Sequence, residues 1–179
     1  RYSGLLPLRG HSNVQGIGTI GVKPVLAESV IHNIENHLGI DLPSSKDSPG
    51  LDTLACIEAA DRGDIDAALI MGGNLYQATP NESWARDAFD KIPLKVFLTT
   101  TLNRGHILGL DNSEAIILPV AARDEERQAT TQESMFNYVR MSDGGIHRLD
   151  NVRSEVDILT NFADLLLNQR AEDSKIDKK

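Results

Sequence analysis

The chain has a single cysteine, few aromatic residues and no apolar run long enough to cross a bilayer as a helix. Cys56 is the one cysteine in 179 residues, so an internal disulfide is excluded. So little cysteine fits a reducing compartment, and we expect a cytoplasmic protein without a membrane-spanning helix. A lone cysteine in a helical segment is usually a small buried hydrophobe, so Cys56 is not predicted to be a nucleophile or a metal ligand.

The sequence also lacks the short motifs that mark common catalytic and metal sites. It has neither C-x-x-C nor H-E-x-x-H, and its five histidines are scattered. The G-x-x-x-x-G-K-S/T phosphate loop and the G-x-S-x-G nucleophile elbow are absent too. The consecutive acids at 124–126 are typical of a solvated surface. No residue is therefore predicted to be catalytic or to bind a metal.

Negative charge is what the sequence has in excess. Asp and Glu number 26 against 18 Lys and Arg, which gives a net charge of -8. This excess of negative charge argues against a nucleic-acid partner, whose backbone is also negative. The length fits about one domain, and a hydrophobic share of 40% is enough for an aliphatic core. We expect one domain over residues 1–168 and a charged tail over 169–179.

Apolar runs and periods predict that helices and strands alternate along the chain. Continuous apolar runs predict three buried strands, at 67–71, 94–98 and 115–118. Apolar residues at helical spacing predict helices at 24–38, 51–62, 80–91 and 152–167. A looser alternation over 133–141 is compatible with a further strand. This order predicts an α/β three-layer sandwich with a mainly parallel, Rossmann-like doubly wound sheet.

Small and polar residues follow the first two predicted strands. Gly72, Gly73 and Asn74 come directly after one strand, and residues 99–103 come after the next. In open parallel sheets, ligands bind at the carboxyl ends of the strands, and glycines let a ligand approach the main chain closely. The alternative is that the glycines only turn the chain and that the hydroxyls and amide cap a following turn. The pattern alone leaves both interpretations open.

Residues 16–21 read GIGTIG and match the G-x-G-x-x-G fingerprint of dinucleotide-binding proteins. That fingerprint requires a buried strand before it and a helix that opens from it. The preceding residues, 10–15, are polar and typical of a turn. An NAD-binding domain is therefore a weaker hypothesis, and it requires residues 16–21 to begin a helix at the end of a buried strand.

Four segments, in a fixed order, point to a known family. They are LRGHSNVQGIGTIG at 8–21, LIMGGNLYQATPN at 69–81, FLTTTLNRGH at 97–106 and AIILPVAARDEER at 115–127. Together they resemble the molybdopterin oxidoreductases, especially the formate dehydrogenase-like alpha subunits. The resemblance covers residues 9–167, and its R-G-x-x-N-V-Q-G block is more specific than the others.

The resemblance implies a cofactor and a set of contacts. In that family a bis(molybdopterin guanine dinucleotide) cofactor lies between two Rossmann-like domains, and this chain looks like the later one. The residues implied to face the cofactor are Gly72, Gly73 and Asn74 along a dinucleotide arm, Thr99 and Thr100 beside the guanosine, and Gly10, His11, Ser12 and Asn13 in another loop. Family members often carry an acid at the position of Thr100, which is neutral here.

The resemblance also implies what lies elsewhere. The family's metal ligand, the cysteines of its 4Fe-4S cluster and its other domains are in parts of the sequence not present here. We therefore expect an excised domain that is inactive alone and holds no cofactor alone. Its partners would be the remaining domains of the parent chain, and the parent would act on a small molecule such as formate.

A stand-alone α/β module that binds a nucleotide or a protein partner without catalysis is the alternative. The cofactor hypothesis makes the sharper structural statement, because it requires residues 72–74 and 99–103 to meet at one crevice.

Overall fold

The computed structural model describes residues 4, 11, 13–22, 25–39, 41–42, 50–134 and 136–176. Helices and strands alternate through the centre of the chain, as the apolar pattern predicts. The helices are α1 (Val14–Thr19), α2 (Glu28–Leu38), α3 (Thr53–Arg62), α4 (Leu75–Ala78), α5 (Glu82–Asp90) and α6 (Glu155–Ile176). The strands are β1 (Ala67–Met71), β2 (Leu94–Thr99), β3 (Glu114–Pro119), β4 (Thr130–Glu133) and β5 (Val139–Ser142). None of these helices combines the length and the apolar character needed to cross a bilayer.

The chain forms two compact units. Unit 1 comprises Arg1–Cys56 and Ala129–Asp143, and unit 2 comprises Ile57–Gln128 and Gly144–Lys179. Unit 1 contains α1, α2 and a hairpin of β4 and β5, and no side chain in its described residues is fully buried. The segment predicted as one further strand thus contributes Glu133 to β4 and residues 139–141 to β5, and Asn137 between them has a φ of 57°.

Unit 2 is built on a parallel sheet in the order β1-β2-β3. Val96 in the centre of β2 pairs with Leu69 on one side and with Ile116 on the other. Parallel strands end at the same edge of a sheet, so the segments that follow β1 and β2 leave from neighbouring positions. The predicted α/β class with a parallel, Rossmann-like sheet is confirmed.

The core of unit 2 lies where helices α3 and α5 pack together. Ile57 and Ala60 of α3 pack against Ala88 of α5 and Ile92. The partly buried side chains around this cluster are Ile65, Ala68, Trp84 and Phe89. The cluster is built from aliphatic side chains and small alanines, in keeping with a chain that has one tryptophan and few other aromatic residues.

Lys95 is a charged residue inside the sheet and is only 1% exposed. Its Nζ donates to the carbonyl oxygen of Ile92 at 2.9 Å and to Ser113 Oγ at 2.5 Å. Burial away from water lowers the pKa of Lys95 from its usual 10.5, although the charge of Asp90 opposes the shift. These two acceptors compensate for the lost hydration, so the lysine joins β2 to the turn that precedes β3.

Two of the three strands predicted to be buried are instead half-exposed. Leu69 and Met71 of β1 are 47% and 49% exposed, and Ile116 of β3 is 48% exposed. Only β2 has a strand on each side, and its residues 97–99 are buried. The prediction of burial was wrong for β1 and β3 because both are edge strands of a narrow sheet.

Candidate functional site

The turn after β1 is made by two consecutive glycines in the left-handed region. Gly72 has a φ of 62° and Gly73 a φ of 71°, which side chains with a β-carbon rarely adopt. No atom lies within 4 Å of the place where a β-carbon would stand at either residue. The main chain of this turn is therefore uncovered, as a close ligand approach would require.

The turn after β1 is joined directly to the end of β2 and to the segment that follows it. The N–H of Gly72 donates to the carbonyl oxygen of Leu98 at 2.7 Å. Asn103 Nδ2 donates to the carbonyl oxygen of Gly73 at 3.0 Å. Residues 72–74 and 99–103 thus meet at one crevice at the carboxyl edge of the sheet, which is the arrangement that the cofactor hypothesis requires.

His106 lies beneath this crevice, at the end of a 3₁₀ turn over Arg104–His106. Its imidazole is 3% exposed, and Nδ1 accepts the N–H of Asn103 at 2.9 Å. The ring stands edge-on to Phe97 of β2, with centroids 5.0 Å apart. Asn103 Oδ1 in turn accepts the N–H of Gly105 at 2.8 Å. The turn is therefore fixed from both its side chains and its main chain.

A small cavity lies under the meeting point of the two segments. Its volume is about 20 Å³, which is room for roughly one water molecule. Gly73, Asn74, Asn103 and His106 contribute to its wall, together with Tyr76 and Phe97. Pockets that enclose a small ligand are usually about 300–1,000 Å³. A larger ligand would therefore lie across the uncovered main chain rather than inside the cavity.

At the crevice, the side chains of Asn74 and Thr99 form hydrogen bonds within the protein. Asn74 caps α4, because its Oδ1 accepts the N–H of Gln77 at 3.2 Å and its Nδ2 donates to Gln77 Oε1 at 2.6 Å. Thr99 is buried, and its hydroxyl donates to the carbonyl oxygen of Thr101 at 2.7 Å. For these side chains the turn-capping interpretation describes the geometry. Thr100 is exposed at the rim of the crevice.

Two main-chain N–H groups at the crevice remain without a partner in the part of the chain that the structure describes. The N–H groups of Gly73 and Asn74 have no hydrogen-bond partner among the described residues. Uncovered N–H groups beside glycines are suited to an anionic group such as a phosphate. The donor set at this crevice thus consists mainly of backbone rather than side chains.

The predicted loop at residues 10–13 belongs to unit 1. His11 is exposed, and Asn13 has a φ of 59° and accepts the N–H of Glu133 at 2.9 Å through Oδ1. Gly10 and Ser12 lie outside the described residues. Asn13 therefore holds the start of α1 to the β4–β5 hairpin.

The G-x-G-x-x-G match does not have the setting that a dinucleotide fingerprint needs. Gly16 and Gly18 lie within the short helix α1, and the described residues just before it form a bend and a turn rather than a strand. A β-carbon at Gly16 would overlap the side chain of Asn13. Close local packing accounts for this glycine, so the NAD hypothesis has no structural support here.

A second cavity, of about 220 Å³, lies between residues 121–128 and the start of α6. Its wall contains both signs of charge, including Arg127, Arg153, Glu126 and Asp157. Among the described residues, no three His, Cys, Asp or Glu side chains are grouped so that they could hold a metal ion. Of the acids at 124–126, Asp124 is exposed, whereas Glu125 and Glu126 are half-buried at this cavity.

Sequence reasoning placed Asn103 in the 99–103 segment of the crevice without giving it a role in joining the two segments, and it missed His106 entirely. The signal was present in the segment FLTTTLNRGH, because an Asn followed three positions later by a residue that can accept a hydrogen bond is typical of a capped turn. Within that segment, the resemblance implies cofactor contacts for Thr99 and Thr100 alone. The hydrogen bond from Asn103 to Gly73 spans 30 positions of sequence, so no local pattern reveals it.

The chain is similar to several longer proteins. It is 34% identical over 168 residues to an uncharacterized oxidoreductase of Mycobacterium tuberculosis, and the matched region covers 90% of this chain and 21% of that protein. It is 30% identical over 174 residues to protein YdeP of Escherichia coli, covering 93% of this chain and 22% of YdeP. It is 31% identical over 111 residues to a putative formate dehydrogenase of Staphylococcus haemolyticus, covering 55% of this chain and 11% of that protein.

The matched relatives are much longer than this chain. No family model matches it. The chain spans about a fifth of the length of the first two of these relatives. By sequence it is therefore related to proteins named as oxidoreductases, and part of it is related to a protein named as a putative formate dehydrogenase.

Proposed function

We propose that this chain is a molybdopterin guanine dinucleotide-binding domain of a molybdenum-dependent oxidoreductase that resembles formate dehydrogenase. The observation that supports it most is the joining of residues 72–74 to residues 99–103 at the carboxyl ends of two parallel strands. This is the position at which open parallel sheets bind dinucleotides. The similarity to proteins named as oxidoreductases agrees with a redox function of the parent protein.

The residues at the crevice fit one phosphate-bearing arm of such a cofactor. The N–H groups of Gly73 and Asn74 would donate to phosphate oxygens, and the glycines would let the phosphates approach the backbone. The exposed hydroxyl of Thr100 would contact the nucleoside. When bound, the cofactor supplies the redox centre at molybdenum, and this chain binds and orients it.

The proposal assigns the remaining parts of the active site to other domains of the parent protein. A metal ligand and a 4Fe-4S cluster would lie there, and those domains would be the partners that close over the cofactor. The chain alone would then be inactive. A reducing, cytoplasmic compartment is part of the proposal and is supported by the single cysteine.

A matched pair of substitutions in the parent enzyme tests the proposal. Gly73 and Gly63 are both left-handed glycines with nothing near a β-carbon, but Gly63 follows α3 at the opposite edge of the sheet. Gly73→Val should lower the molybdenum and the guanosine monophosphate released by acid hydrolysis well below stoichiometric amounts. Gly63→Val imposes similar backbone strain away from the crevice and should leave both contents unchanged. Equal cofactor content in the two variants would contradict the proposal.

The isolated chain gives a second test. Purified alone, it should contain no molybdenum and should not oxidise formate. Stoichiometric metal in the isolated chain would show that it is not a fragment of a larger cofactor site.

The alternative function is a stand-alone α/β module that binds a nucleotide or a protein partner. The capping roles of Asn74 and Thr99 favour it, because they use side chains that a cofactor would otherwise contact. This alternative predicts that no bound molybdenum cofactor depends on Gly73.

A further inference from the structure

The peptide unit between Gly73 and Asn74 has unusual freedom to rotate. Its rotation changes ψ of Gly73 and φ of Asn74, and Gly73 lacks the β-carbon that would restrict the first of these. Nothing stands near a β-carbon position at Gly72 or Gly73, so packing does not hold this peptide in place. A donor that depends on this peptide needs a separate restraint.

Asn103 supplies that restraint. Its Nδ2 donates to the carbonyl oxygen of Gly73 at 3.0 Å, which turns that oxygen toward the segment after β2. No cis peptide bond occurs among the described residues. In a planar trans peptide the C=O and N–H groups point in opposite directions. Holding the oxygen of Gly73 therefore turns the N–H of Asn74 away from Asn103, where it meets no acceptor among the described residues.

His106 holds Asn103 in turn. Its Nδ1 accepts the main-chain N–H of Asn103 at 2.9 Å, so this nitrogen is unprotonated and the neutral ring carries its proton on Nε2. Burial and the edge-on contact with Phe97 fix the ring. The N–H of Gly105 donates to Asn103 Oδ1 and leaves Nδ2 of the same amide for Gly73.

We propose that Asn103 and His106 are positioning residues for the crevice, which prevent the 73–74 peptide from flipping and keep the N–H of Asn74 available to a phosphate group. This inference rests on the proposed function for its biological setting. It goes further in naming the donor, the class of group bound and the two residues that orient the donor.

A matched pair of asparagine substitutions tests the first step. Asn103→Ser keeps a short oxygen that can accept the N–H of Gly105, but it cannot reach Gly73. Asn81 likewise caps a helix, α5, by accepting the N–H of Trp84, and Asn81→Ser serves as the control. Titration with inorganic pyrophosphate, followed by the NMR signal of the Asn74 amide, should show about tenfold weaker binding for Asn103→Ser. Asn81→Ser should bind as the unsubstituted chain does.

Substitution of His106 tests the second step. In His106→Asn the Oδ1 atom can take the place of Nδ1, so pyrophosphate affinity should be largely retained. His106→Leu lacks an acceptor and should weaken binding about as much as Asn103→Ser. A merely structural histidine would not show this rescue by asparagine.

Nitrogen-15 spectra of the unsubstituted chain should show His106 protonated on Nε2 and not on Nδ1. If His106→Leu does not fold, the Asn103 and Asn81 pair and these spectra still decide the matter.

The outcomes separate this inference from the proposed function. Equal pyrophosphate affinity in Asn103→Ser and the unsubstituted chain would overturn the inference, as would an Asn74 amide that pyrophosphate leaves unshifted or a His106 protonated on Nδ1. Guanosine diphosphate is the probe for the function and should bind more tightly than pyrophosphate. If pyrophosphate binding depends on Asn103 but guanosine diphosphate binds no better, the inference stands and the guanine dinucleotide function fails.

Discussion

Gly105 lies where the side chains of Asn74 and Asn103 approach the same stretch of main chain. A β-carbon at this position would stand 2.5 Å from Asn74 Oδ1 and 3.0 Å from Asn103 Oδ1. Both oxygens accept hydrogen bonds that hold a turn, so neither can move without cost. The requirement for glycine here comes from close approach rather than from a left-handed backbone.

We expect Gly105→Ala to destabilise the chain by about 1–3 kcal/mol, because the added methyl group displaces at least one capping side chain. The urea midpoint of unfolding measures this. Gly4→Ala is the control, since nothing lies within 4 Å of a β-carbon at Gly4, and it should change stability by less than about 0.5 kcal/mol. Equal midpoints for the two variants would show that the crevice side chains adapt freely.

At the scale of single residues, the sequence predicted the glycines of the crevice better than its polar side chains. Two adjacent glycines after an apolar run indicate a turn, and the structure shows that this turn is uncovered. Asn74 and Thr99 were harder, because asparagine and threonine serve equally as ligands and as local caps. Which role they take depends on where Gln77 and Thr101 stand, and no composition rule supplies that.

Among the elements, α3 and α5 are joined by one acidic residue. Asp61 near the end of α3 accepts a hydrogen bond from Lys91 Nζ at 2.6 Å and one from Trp84 Nε1 at 3.0 Å. The hydrogen bond from Lys91, and then that from Trp84, hold the pKa of the Asp61 carboxyl below its ordinary value of 3.8. The ionised carboxylate is thus favoured in the folded state.

This shift fixes the sign of a pH effect. Because the folded pKa is lower than the unfolded one, the contribution of Asp61 to stability is present above pH 3.8 and is lost as the pH falls through the folded value. We expect Asp61→Asn to lower the urea midpoint at neutral pH, and the difference from the unsubstituted chain to shrink on acidification below pH 4.

The partner of Asp61 provides the control for that measurement. Lys91→Met should lower the urea midpoint at neutral pH in the same way, and its difference from the unsubstituted chain should likewise shrink on acidification. The double variant should be little less stable than either single variant, because both substitutions remove the same interaction. A difference between Asp61→Asn and the unsubstituted chain that stays constant between neutral pH and pH 3 would contradict the assignment.

The elements themselves were predictable where their signal was local. The strand predicted at 67–71 has the bounds observed for β1, and its apolar run needs no knowledge of its neighbours. Its exposure was not predictable, since that depends on its being at the sheet edge. The last helix continues from Glu155 to Ile176, well into the region predicted as a charged tail, because good helix formers such as Leu, Gln, Arg and Ala carry it on.

In the whole molecule, buried side chains are concentrated in one of the two units. Every fully buried residue among those described lies between Ile57 and Ser154 and belongs to unit 2. Unit 1 has helices and a hairpin but little apolar burial in its described part. Resistance to local opening rises with buried apolar contact, so the two units should differ in stability.

Hydrogen exchange measures that difference directly. The amides of β2, at the centre of the sheet, should exchange only on global unfolding, whereas those of α2 should exchange through small local openings at much lower free energy. Equal protection of α2 and β2 would mean that the two units unfold as one. The substitution Leu69→Gln in β1 should leave β2 more protected than α2, because the side chain of Leu69 is already half-exposed to water.

The hairpin of β4 and β5 leaves unit 2 after Gln128 and returns at Gly144. Its points of departure and return lie side by side, since the N–H of Gly145 donates to the carbonyl oxygen of Glu126 at 2.5 Å. Residues 129–143 are thus an insertion whose two ends lie next to each other in unit 2. The strands and helices around the crevice do not include any of these residues. Splicing Gln128 to Gly144 through a short flexible bridge would yield a smaller protein that still carries both strand ends.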